Sequence, residues 1–189
     1  MSRISKDEWA LRLAQITALR ATCLRRSVGC VLTDRRGHVL STGYNGVAAG
    51  VHHCNELTGV GPNPKLWVEA DGDKPGYYRF PEPWERETVA EYAHSCAGAT
   101  LPSGQGLDNC QAIHAEQNAL LQCRDVMTIH TCYVTTSPCL TCVKLLMNTS
   151  CKRIVFSEPY AHKDAALLWA KVPGGEWIEL PLNLQGALS

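Results

Sequence analysis

The sequence has no long hydrophobic run: nowhere in its 189 residues do about 18 apolar residues follow one another. A membrane-spanning helix needs about 20 predominantly apolar residues, so we expect no transmembrane segment. Residues 1–8 are polar, and Arg12 and Arg20 interrupt the stretch behind them, which is unlike the apolar core of a signal peptide. We therefore expect a cytoplasmic protein.

The chain also lacks net charge, because 18 basic residues balance 18 acidic ones. Proteins that bind nucleic acids usually carry a basic surplus, so this balance favours a small substrate over a nucleic-acid polymer. Hydrophobic residues make up 45% of the chain and charged residues 19%, as in ordinary globular proteins. There is no internal repeat and no low-complexity tract, and the length suits a single domain over 1–189.

Cysteine, in contrast, is abundant, with ten residues. In a reducing cytosol, such a number indicates metal binding or catalysis rather than disulfide bonds. Two of the cysteines, Cys30 and Cys132, fall within apolar runs, and we expect them to be small buried hydrophobic residues.

The N-terminal part of the chain predicts a helix followed by a hairpin. Ser5 and Glu8 form a capping-box pattern, and apolar residues recur behind them at helical spacing, which predicts a helix over about 6–24. Two short apolar runs, at 28–33 and 38–42, are separated by turn-forming residues and predict a β-hairpin.

The middle of the chain is irregular. Six of the ten prolines lie between residues 47 and 110, and the only helical pattern there covers 85–97. A long irregular segment within a compact domain is usually functional or disordered. We therefore interpret about 55–109 as an insertion into the domain.

Regular patterns return after this insertion. Helices are predicted over 112–124, 139–148 and 164–171, alternating with strands over 128–136, 153–157 and 177–180. Strands that alternate with helices of about ten residues indicate βαβ units, so the fold class is α/β with a largely parallel sheet.

Two motifs at the starts of consecutive predicted helices indicate a metal site. His114 begins one helix, and Cys139 and Cys142 lie three residues apart at the start of the next. Two cysteines and one histidine leave a fourth position of a tetrahedral zinc ion open for water, which is the arrangement of catalytic zinc sites. The alternatives to a catalytic zinc site are a redox cysteine pair or half of a structural zinc site.

Glu116 supplies the acid–base group that a reaction at this predicted zinc site needs. It lies two residues from His114, which is too close in sequence for both side chains to bind one zinc ion easily. Glu116 is therefore available to transfer protons. Zinc lowers the pKa of bound water to about 7, which supplies a hydroxide nucleophile at neutral pH. An H-x-E motif followed by P-C-x-x-C is the signature of zinc-dependent deaminases of nucleobases, with the glutamate as general acid and base.

These motifs resemble the cytidine deaminase superfamily and, within it, the deoxycytidylate (dCMP) deaminases. The resemblance covers about 5–46 and 110–180 and rests on SVGCV at 27–31, GYNG at 43–46, HAEQNA at 114–119 and SPCLTC at 137–142. It implies a three-layer fold in which a central mixed five-stranded sheet carries helices on both faces. It also implies hydrolysis of dCMP to dUMP and ammonia.

The resemblance further implies substrate contacts. The Ala115 backbone N–H would donate to the pyrimidine carbonyl, Asn45 would contact the sugar hydroxyl, Arg26 or Ser27 the phosphate, and Tyr160 the base or sugar. Simpler interpretations exist for three of these residues: Asn45 suits a turn, Arg26 a surface charge and Tyr160 a packing position.

Regulation and a second metal are also expected from this resemblance. Members of the family are often hexamers activated by dCTP and inhibited by dTTP, with Mg²⁺ accompanying the allosteric nucleotide. A second, structural zinc would be bound by Cys23, Cys54, Cys110 and His94, with Cys96 and His53 as alternatives to His94. Otherwise these cysteines are separate buried thiols.

Three other functions share the metal motif. The substrate could be dCTP or a modified cytosine nucleotide, or the protein could be a tRNA adenosine deaminase, although the latter calls for a basic face. A non-catalytic zinc module is the third, and Glu116 argues against it because a closed structural site has no use for that carboxylate.

Overall fold

The computed structural model describes residues 3–51, 53–54, 57–58, 66–68, 77–79, 92–93, 96, 110–160 and 163–182. The helices of this part of the chain are α1 (Lys6–Ala18), α2 (Ala115–Gln122), α3 (Leu140–Met147) and α4 (Asp164–Trp169). The strands of the main sheet are β1 (Gly29–Thr33), β2 (Val39–Tyr44), β9 (Thr131–Thr136), β10 (Arg153–Glu158) and β11 (Glu176–Glu179). Three two-stranded pairs complete the elements: β3 (Gly46–Val47) with β8 (Ala112–Ile113), β4 (Leu57–Thr58) with β7 (Tyr92–Ala93), and β5 (Leu66–Val68) with β6 (Tyr77–Arg79).

The main sheet has the strand order β11-β10-β9-β1-β2. Strands β9, β10 and β11 are parallel, whereas β1 is antiparallel to both β9 and β2. The mixed five-stranded sheet is therefore as expected, and so is the β1–β2 hairpin. The expectation of a largely parallel sheet was wrong, since only two of the four strand pairings are parallel. The parallel half arises from the predicted alternation, because α3 and α4 connect successive parallel strands.

Helices cover both faces of this sheet, which gives the expected three layers. On one face, apolar residues of α1 pack against alternate residues of β1, β9 and β10, namely Val31, Tyr133 and Val155. On the other face the intervening residues, such as Leu32, Val134 and Ile154, pack in one cluster with residues of α2, α3 and α4. Because successive side chains of a strand point to opposite faces, one set of strands supplies both hydrophobic cores.

Three predicted boundaries were wrong. Helix α1 ends at Ala18 rather than near residue 24, since the chain turns and the Thr22 backbone N–H donates to Asn45 O at 3.2 Å. Helix α2 begins at Ala115 rather than at 112, because Ala112–Ile113 is strand β8. The strand predicted from 128 begins at Thr131, after a 3₁₀ turn at Val126–Thr128.

The helix predicted over 85–97 is wrong at Tyr92–Ala93, which is a strand paired with Leu57–Thr58. The rest of that range, apart from Cys96, lies outside the described residues. An insertion at about 55–109 within a single domain over 1–189 remains a prediction.

The start of α1 shows half of the predicted capping box. The Ser5 hydroxyl accepts a hydrogen bond from the Glu8 backbone N–H at 3.0 Å, as an N-cap residue does. The Glu8 carboxylate instead accepts from Arg12 at 2.8 Å, one turn further along the helix. None of the helices in the described ranges is long and apolar enough to cross a bilayer.

Two glycines allow helices to lie directly on the sheet. A Cβ atom at Gly43 of β2 would overlap the backbone O of Ala115 and the backbone N of Ala119 in α2. A Cβ atom at Gly29 of β1 would overlap Ala14 O in α1 in the same way. The backbones therefore approach more closely than any other residue type allows at these two positions.

We predict that Gly43→Ala pushes α2 away from β2 and lowers the free energy of unfolding by about 1–3 kcal/mol, as overpacking does. The matched control is Thr42→Ala on the exposed side of the same strand, which should cost at most about 1 kcal/mol. Urea denaturation of both variants measures the difference. Equal stabilities would show that the close approach at Gly43 is not required.

Candidate active site

The predicted metal-binding residues lie at the starts of two helices on one end of the sheet. His114 is the N-cap residue of α2, and Cys139 is the N-cap residue of α3, which follows β9 after a short turn. Cys142 lies in the first turn of α3 and is buried. The chain thus brings together residues that are 25 or more positions apart.

The three side chains are close enough to share one ion. Both the Cys139 Sγ and the Cys142 Sγ lie 3.4 Å from His114 Nδ1, and all three ligand atoms are within 4.8 Å of one another. Tetrahedral zinc with bonds of about 2.0 Å to nitrogen and 2.3 Å to sulfur separates such atoms by about 3.5 Å. The group therefore fits zinc, and in the described part of the chain it is the one group of three or more potential ligands this compact.

The protonation of this group also favours a cation. Hydrogen bonds that the Cys139 sulfur accepts from Cys142 and from His114 lower the pKa of the Cys139 thiol to about 4. The hydrogen bond with Cys139 raises the pKa of His114 against the opposing effect of burial. A thiolate is thus already favoured here, and a divalent cation would displace the protons that remain on the other two groups.

Glu116 lies beside this group without belonging to it. Its side chain is only 4% exposed, and burial raises the pKa of its carboxyl to about 7. A carboxyl group that exchanges its proton near neutral pH is suited to general acid–base chemistry.

A cavity of about 80 Å³ opens onto the metal-binding residues. Its wall includes His114, Ala115, Glu116 and Cys139, and on the other side Arg26, Asn45 and Tyr160. The structure therefore brings together all but one of the residues expected to contact substrate. The exception is Ser27, which is exposed and does not line the cavity.

Asn45 is held by the loop that precedes β1. Its Nδ2 donates to Arg26 O at 2.7 Å, and its Oδ1 accepts from the Val28 backbone N–H at 2.7 Å. The side chain is 7% exposed, so both hydrogen bonds are shielded from water. Asn45 thus fixes the loop that carries Arg26, which is more than the turn interpretation required.

Arg26 is half-buried rather than a free surface charge. Its Nη1 donates to Thr136 Oγ1 at 3.3 Å, and its guanidinium carbon lies 5.9 Å from the centre of the Tyr160 ring. Contacts of this length are typical of cation–π pairs. The two residues together form one wall of the cavity.

Sequence reasoning missed three polar residues of the cavity wall, Arg25, Thr136 and Ser137. Ser137 Oγ accepts from the Tyr160 backbone N–H at 2.7 Å and so positions that residue. A signal was available, because polar residues at the carboxyl end of a strand commonly line the sites of α/β folds.

The start of α2 is tied to the GYNG segment at 43–46. The His114 backbone N–H donates to Gln117 Oε1 at 2.8 Å, which completes the first turn of the helix. Asn118 Nδ2 donates to Tyr44 O at 2.7 Å, one residue after the close contact at Gly43. The two motifs that carried the family resemblance are therefore in direct contact.

Four further cysteines surround the edge of the cavity. Cys23 and Cys110 line it, while Cys54 and Cys96 are buried nearby. Burial raises the pKa values of the Cys54 and Cys110 thiols, and the neighbouring Cys96 and Cys23 raise them further. The structure thus places Cys96 with the three predicted cysteines, whereas His94 lies outside the described residues.

Comparison with known proteins agrees with this geometry. Residues 4–158 match the family model of the cytidine and deoxycytidylate deaminase zinc-binding region. The chain belongs to this family of zinc-binding deaminases, which confirms the resemblance found in the sequence.

Several similar proteins are named as deoxycytidylate deaminases. The chain is 35% identical over 160 residues to the deoxycytidylate deaminase of Mycobacterium phage D29, covering 84% of this chain and 98% of that protein. It is 32% identical over 181 residues to the deoxycytidylate deaminase of Schizosaccharomyces pombe, covering 93% of this chain but only 45% of the yeast protein. The fold is that of the cyanophage S-TIM5 dCMP deaminase crystallised with dCMP and dUMP, with a TM-score of 0.59 at 19% identity, covering 95% of this chain and 100% of that one.

We predict that Asn45→Ala lowers the free energy of unfolding by about 1–3 kcal/mol, because it leaves two shielded backbone groups without a partner. Zinc content should not change, since Asn45 contacts none of the three metal-binding side chains. The exposed Asn148→Ala is the matched control. Chemical denaturation together with metal analysis tests this, and a fully stable Asn45→Ala protein would contradict it.

Proposed function

We propose that the protein is a zinc-dependent dCMP deaminase, which converts dCMP and water to dUMP and ammonia. The observation that carries the proposal is the convergence of His114, Cys139 and Cys142 beside the buried carboxyl of Glu116, at one cavity. Family membership and the names of the relatives support the same reaction.

In this proposal His114, Cys139 and Cys142 hold the zinc, which when bound supplies a water of lowered pKa to the cavity. Glu116 accepts a proton from that water and delivers it to the ring nitrogen next to the amino group. Glu116 then takes the second proton of that water and passes it to the amine, which leaves as ammonia as the carbon–nitrogen bond breaks, while the water's oxygen stays on the pyrimidine. A pKa of about 7 suits this cycle, because Glu116 must both take and give protons at neutral pH.

The remaining wall residues are proposed to orient the nucleotide. The Ala115 backbone N–H belongs to the first turn of α2, where it has no partner within the helix, so it can donate to the pyrimidine carbonyl. Asn45 Nδ2 has a second hydrogen for the sugar hydroxyl, and Tyr160 would contact the base or sugar. Arg26, with Arg25 beside it, is our choice for the phosphate, since Ser27 lies away from the cavity.

Four substrates separate this function from its alternatives: dCMP, dCTP, cytidine and a tRNA. Arg25 and Arg26 in the cavity wall favour a phosphorylated substrate over cytidine, and the balanced charge disfavours tRNA. Deamination of dCMP well above the others supports the proposal. Preferred turnover of dCTP would assign the triphosphate, preferred turnover of tRNA would assign an adenosine deaminase, and no turnover of any would leave a non-catalytic zinc module.

We predict that Glu116→Gln lowers the turnover number by about 10²- to 10⁴-fold, which is the usual contribution of a general acid–base group. The variant should retain its zinc, because the amide has nearly the shape of the carboxyl and Glu116 is not one of the three ligands. Steady-state assays with metal analysis measure both quantities.

The matched control is Glu179→Gln, an exposed glutamate on β11, which should behave as wild type. Cys139→Ala should lose zinc and activity together. A Glu116→Gln enzyme within threefold of wild-type turnover, or one without zinc, would refute the assigned role.

We also propose a second, structural zinc held by Cys23, Cys54, Cys96 and Cys110. Its support is the effect of Cys96 and Cys23 on the pKa values of Cys54 and Cys110, together with the burial of Cys54 and Cys96. No three of these thiols, all within the described ranges, are as compact as the first group, so zinc binding would draw them closer together. Four cysteine ligands close the coordination sphere, as in structural zinc sites. Ordering an irregular segment costs about 1–2 kcal/mol per residue of backbone entropy, and zinc binding would offset part of this cost.

We predict two zinc ions per chain, falling to one in both Cys54→Ser and Cys96→Ser with residual deaminase activity. Cys123→Ser, a cysteine remote from this group, should keep two. His94→Ala distinguishes the ligand sets: it keeps two if Cys96 is the fourth ligand and loses one if His94 is. A single zinc in the wild-type protein would refute the site.

We further propose a cytoplasmic homo-oligomer, a hexamer whose activity rises with dCTP and falls with dTTP, with Mg²⁺ accompanying the effector. Several large apolar side chains are exposed and would be covered by association, among them Ile16, Leu19, Leu121 and Leu167. All ten cysteines are free thiols, in keeping with a reducing compartment.

A further inference from the structure

The side chain of Arg26 is held at both of its ends. Its backbone is fixed because Arg26 O accepts from Asn45 Nδ2 at 2.7 Å. An arginine side chain has several rotatable bonds, so a fixed backbone alone would leave the guanidinium free to move. Two contacts restrain the guanidinium itself: Nη1 donates to Thr136 Oγ1 at 3.3 Å, and the centre of the Tyr160 ring lies 5.9 Å from the guanidinium carbon. The positive charge therefore has a defined place in the cavity wall.

Thr136 is a rigid acceptor for this hydrogen bond. It is the last residue of β9, it is buried, and its backbone pairs with Glu158 of β10. The branched Cβ of threonine restricts rotation about χ1, so the backbone of the strand sets the position of the hydroxyl. The sheet thus determines where the guanidinium of Arg26 lies.

The hydroxyl holds Arg26 without neutralising it. A carboxylate at the same place would orient the guanidinium equally well but would compete with an anionic ligand for its charge. Within the described ranges, no carboxylate forms an ion pair with Arg26. A guanidinium has five N–H donors, and Thr136 accepts from one of them. Donors in the fork geometry that suits a phosphate group are therefore still available on the cavity wall.

The residue after Thr136 fixes the aromatic contact. Ser137 Oγ accepts from the Tyr160 backbone N–H at 2.7 Å, which anchors the ring partner of Arg26 to the same short segment. Cys139 follows two residues later and belongs to the metal-binding group. One segment that continues from the sheet therefore supports Arg26 and carries part of the metal site. The separation between the phosphate-binding charge and the reacting end of the cavity depends on this segment.

We propose that Thr136 is a positioning residue for the reaction, whose hydroxyl holds Arg26 where it binds the phosphate of the nucleotide. This inference rests on the proposed deamination of dCMP. Thr136 acts through Arg26, not through a contact of its own with the substrate. The phosphate is not altered in the reaction, so Thr136 contributes equally to binding of the substrate and of the transition state.

The test compares dCMP with deoxycytidine, which lacks the phosphate, in steady-state assays of the zinc-loaded protein. Thr136→Val keeps the shape of the side chain but removes the acceptor. We expect its KM for dCMP to rise about tenfold with kcat within about threefold of wild type, and kcat/KM for deoxycytidine to stay unchanged. Thr136→Ser retains the hydroxyl and should bring KM back to within about threefold of wild type. Thr136→Ala, which also lacks the hydroxyl, should repeat the result of Thr136→Val.

Calorimetric titration with the product dUMP measures the same contact without turnover. Its Kd should rise about tenfold in Thr136→Val. The matched control is Thr131→Val, which changes an equally buried threonine at the other end of β9 and should leave KM and Kd unchanged. Metal analysis and urea denaturation of each variant verify that zinc and fold are retained.

A double variant shows whether Thr136 acts through Arg26. Arg26→Gln should raise the KM for dCMP at least as much as Thr136→Val does. Adding Thr136→Val to Arg26→Gln should then cause no further rise, because the group that Thr136 positions is already gone.

The proposal is overturned if Thr136→Val and Thr136→Ala bind dCMP and dUMP as wild type does. It is also overturned if they weaken deoxycytidine as much as dCMP, since this would be a general structural effect on the cavity. Effects of Arg26→Gln and Thr136→Val that multiply in the double variant would overturn it too, because Thr136 would then act on the substrate directly. All three outcomes leave dCMP deamination by the wild-type protein intact, whereas a wild-type protein inactive on dCMP would refute the proposed function and this inference with it.

Discussion

The close contact between β2 and α2 determines where the reactive groups lie. Gly43 lets the backbone of α2 rest on the strand, and Asn118 fastens the helix to Tyr44 O. His114 begins that helix, so its ring is placed by the same contact. The two cysteines arrive from the other side, on α3 after β9. A metal site that needs its ligand atoms positioned to within a few tenths of an ångström thus rests on two rigid helices packed on one sheet.

Burial then determines the protonation of Glu116 beside the metal-binding residues. A carboxyl group exposed to water ionises well below neutral pH, but burial raises the pKa of Glu116 to about 7. The neighbouring thiols respond in opposite directions, because the hydrogen bond between Cys139 and Cys142 lowers the pKa of the first and raises that of the second. The protein therefore prepares a proton carrier and a cation-binding group side by side, which is what hydrolysis of an amine requires at neutral pH.

The sequence was sufficient for the parts of this arrangement that depend on local order. The convergence of His114, Cys139 and Cys142 beside Glu116 could be predicted from their spacing, and the strands and helices of the second half from their alternation. The end of α1 and the strand at Ala112–Ile113 could not, because each depends on pairing with residues near Asn45 that are distant in sequence. Cys96 was ranked behind His94 for the same reason, since only the fold brings Cys96 against Cys54 and Cys110.

The zero net charge conceals an uneven distribution of basic residues over the protein. Their positions therefore say more about the substrate than the net charge does. Arg25 and Arg26 line one cavity, while Lys6, Arg35 and Arg36 line another at the far end of the same strands. A nucleic-acid polymer needs a continuous basic stripe along which its phosphates can lie. Here the two basic groups line separate cavities at opposite ends of the strands. The argument against a polymer substrate therefore rests on the separation of the basic residues rather than on the total charge.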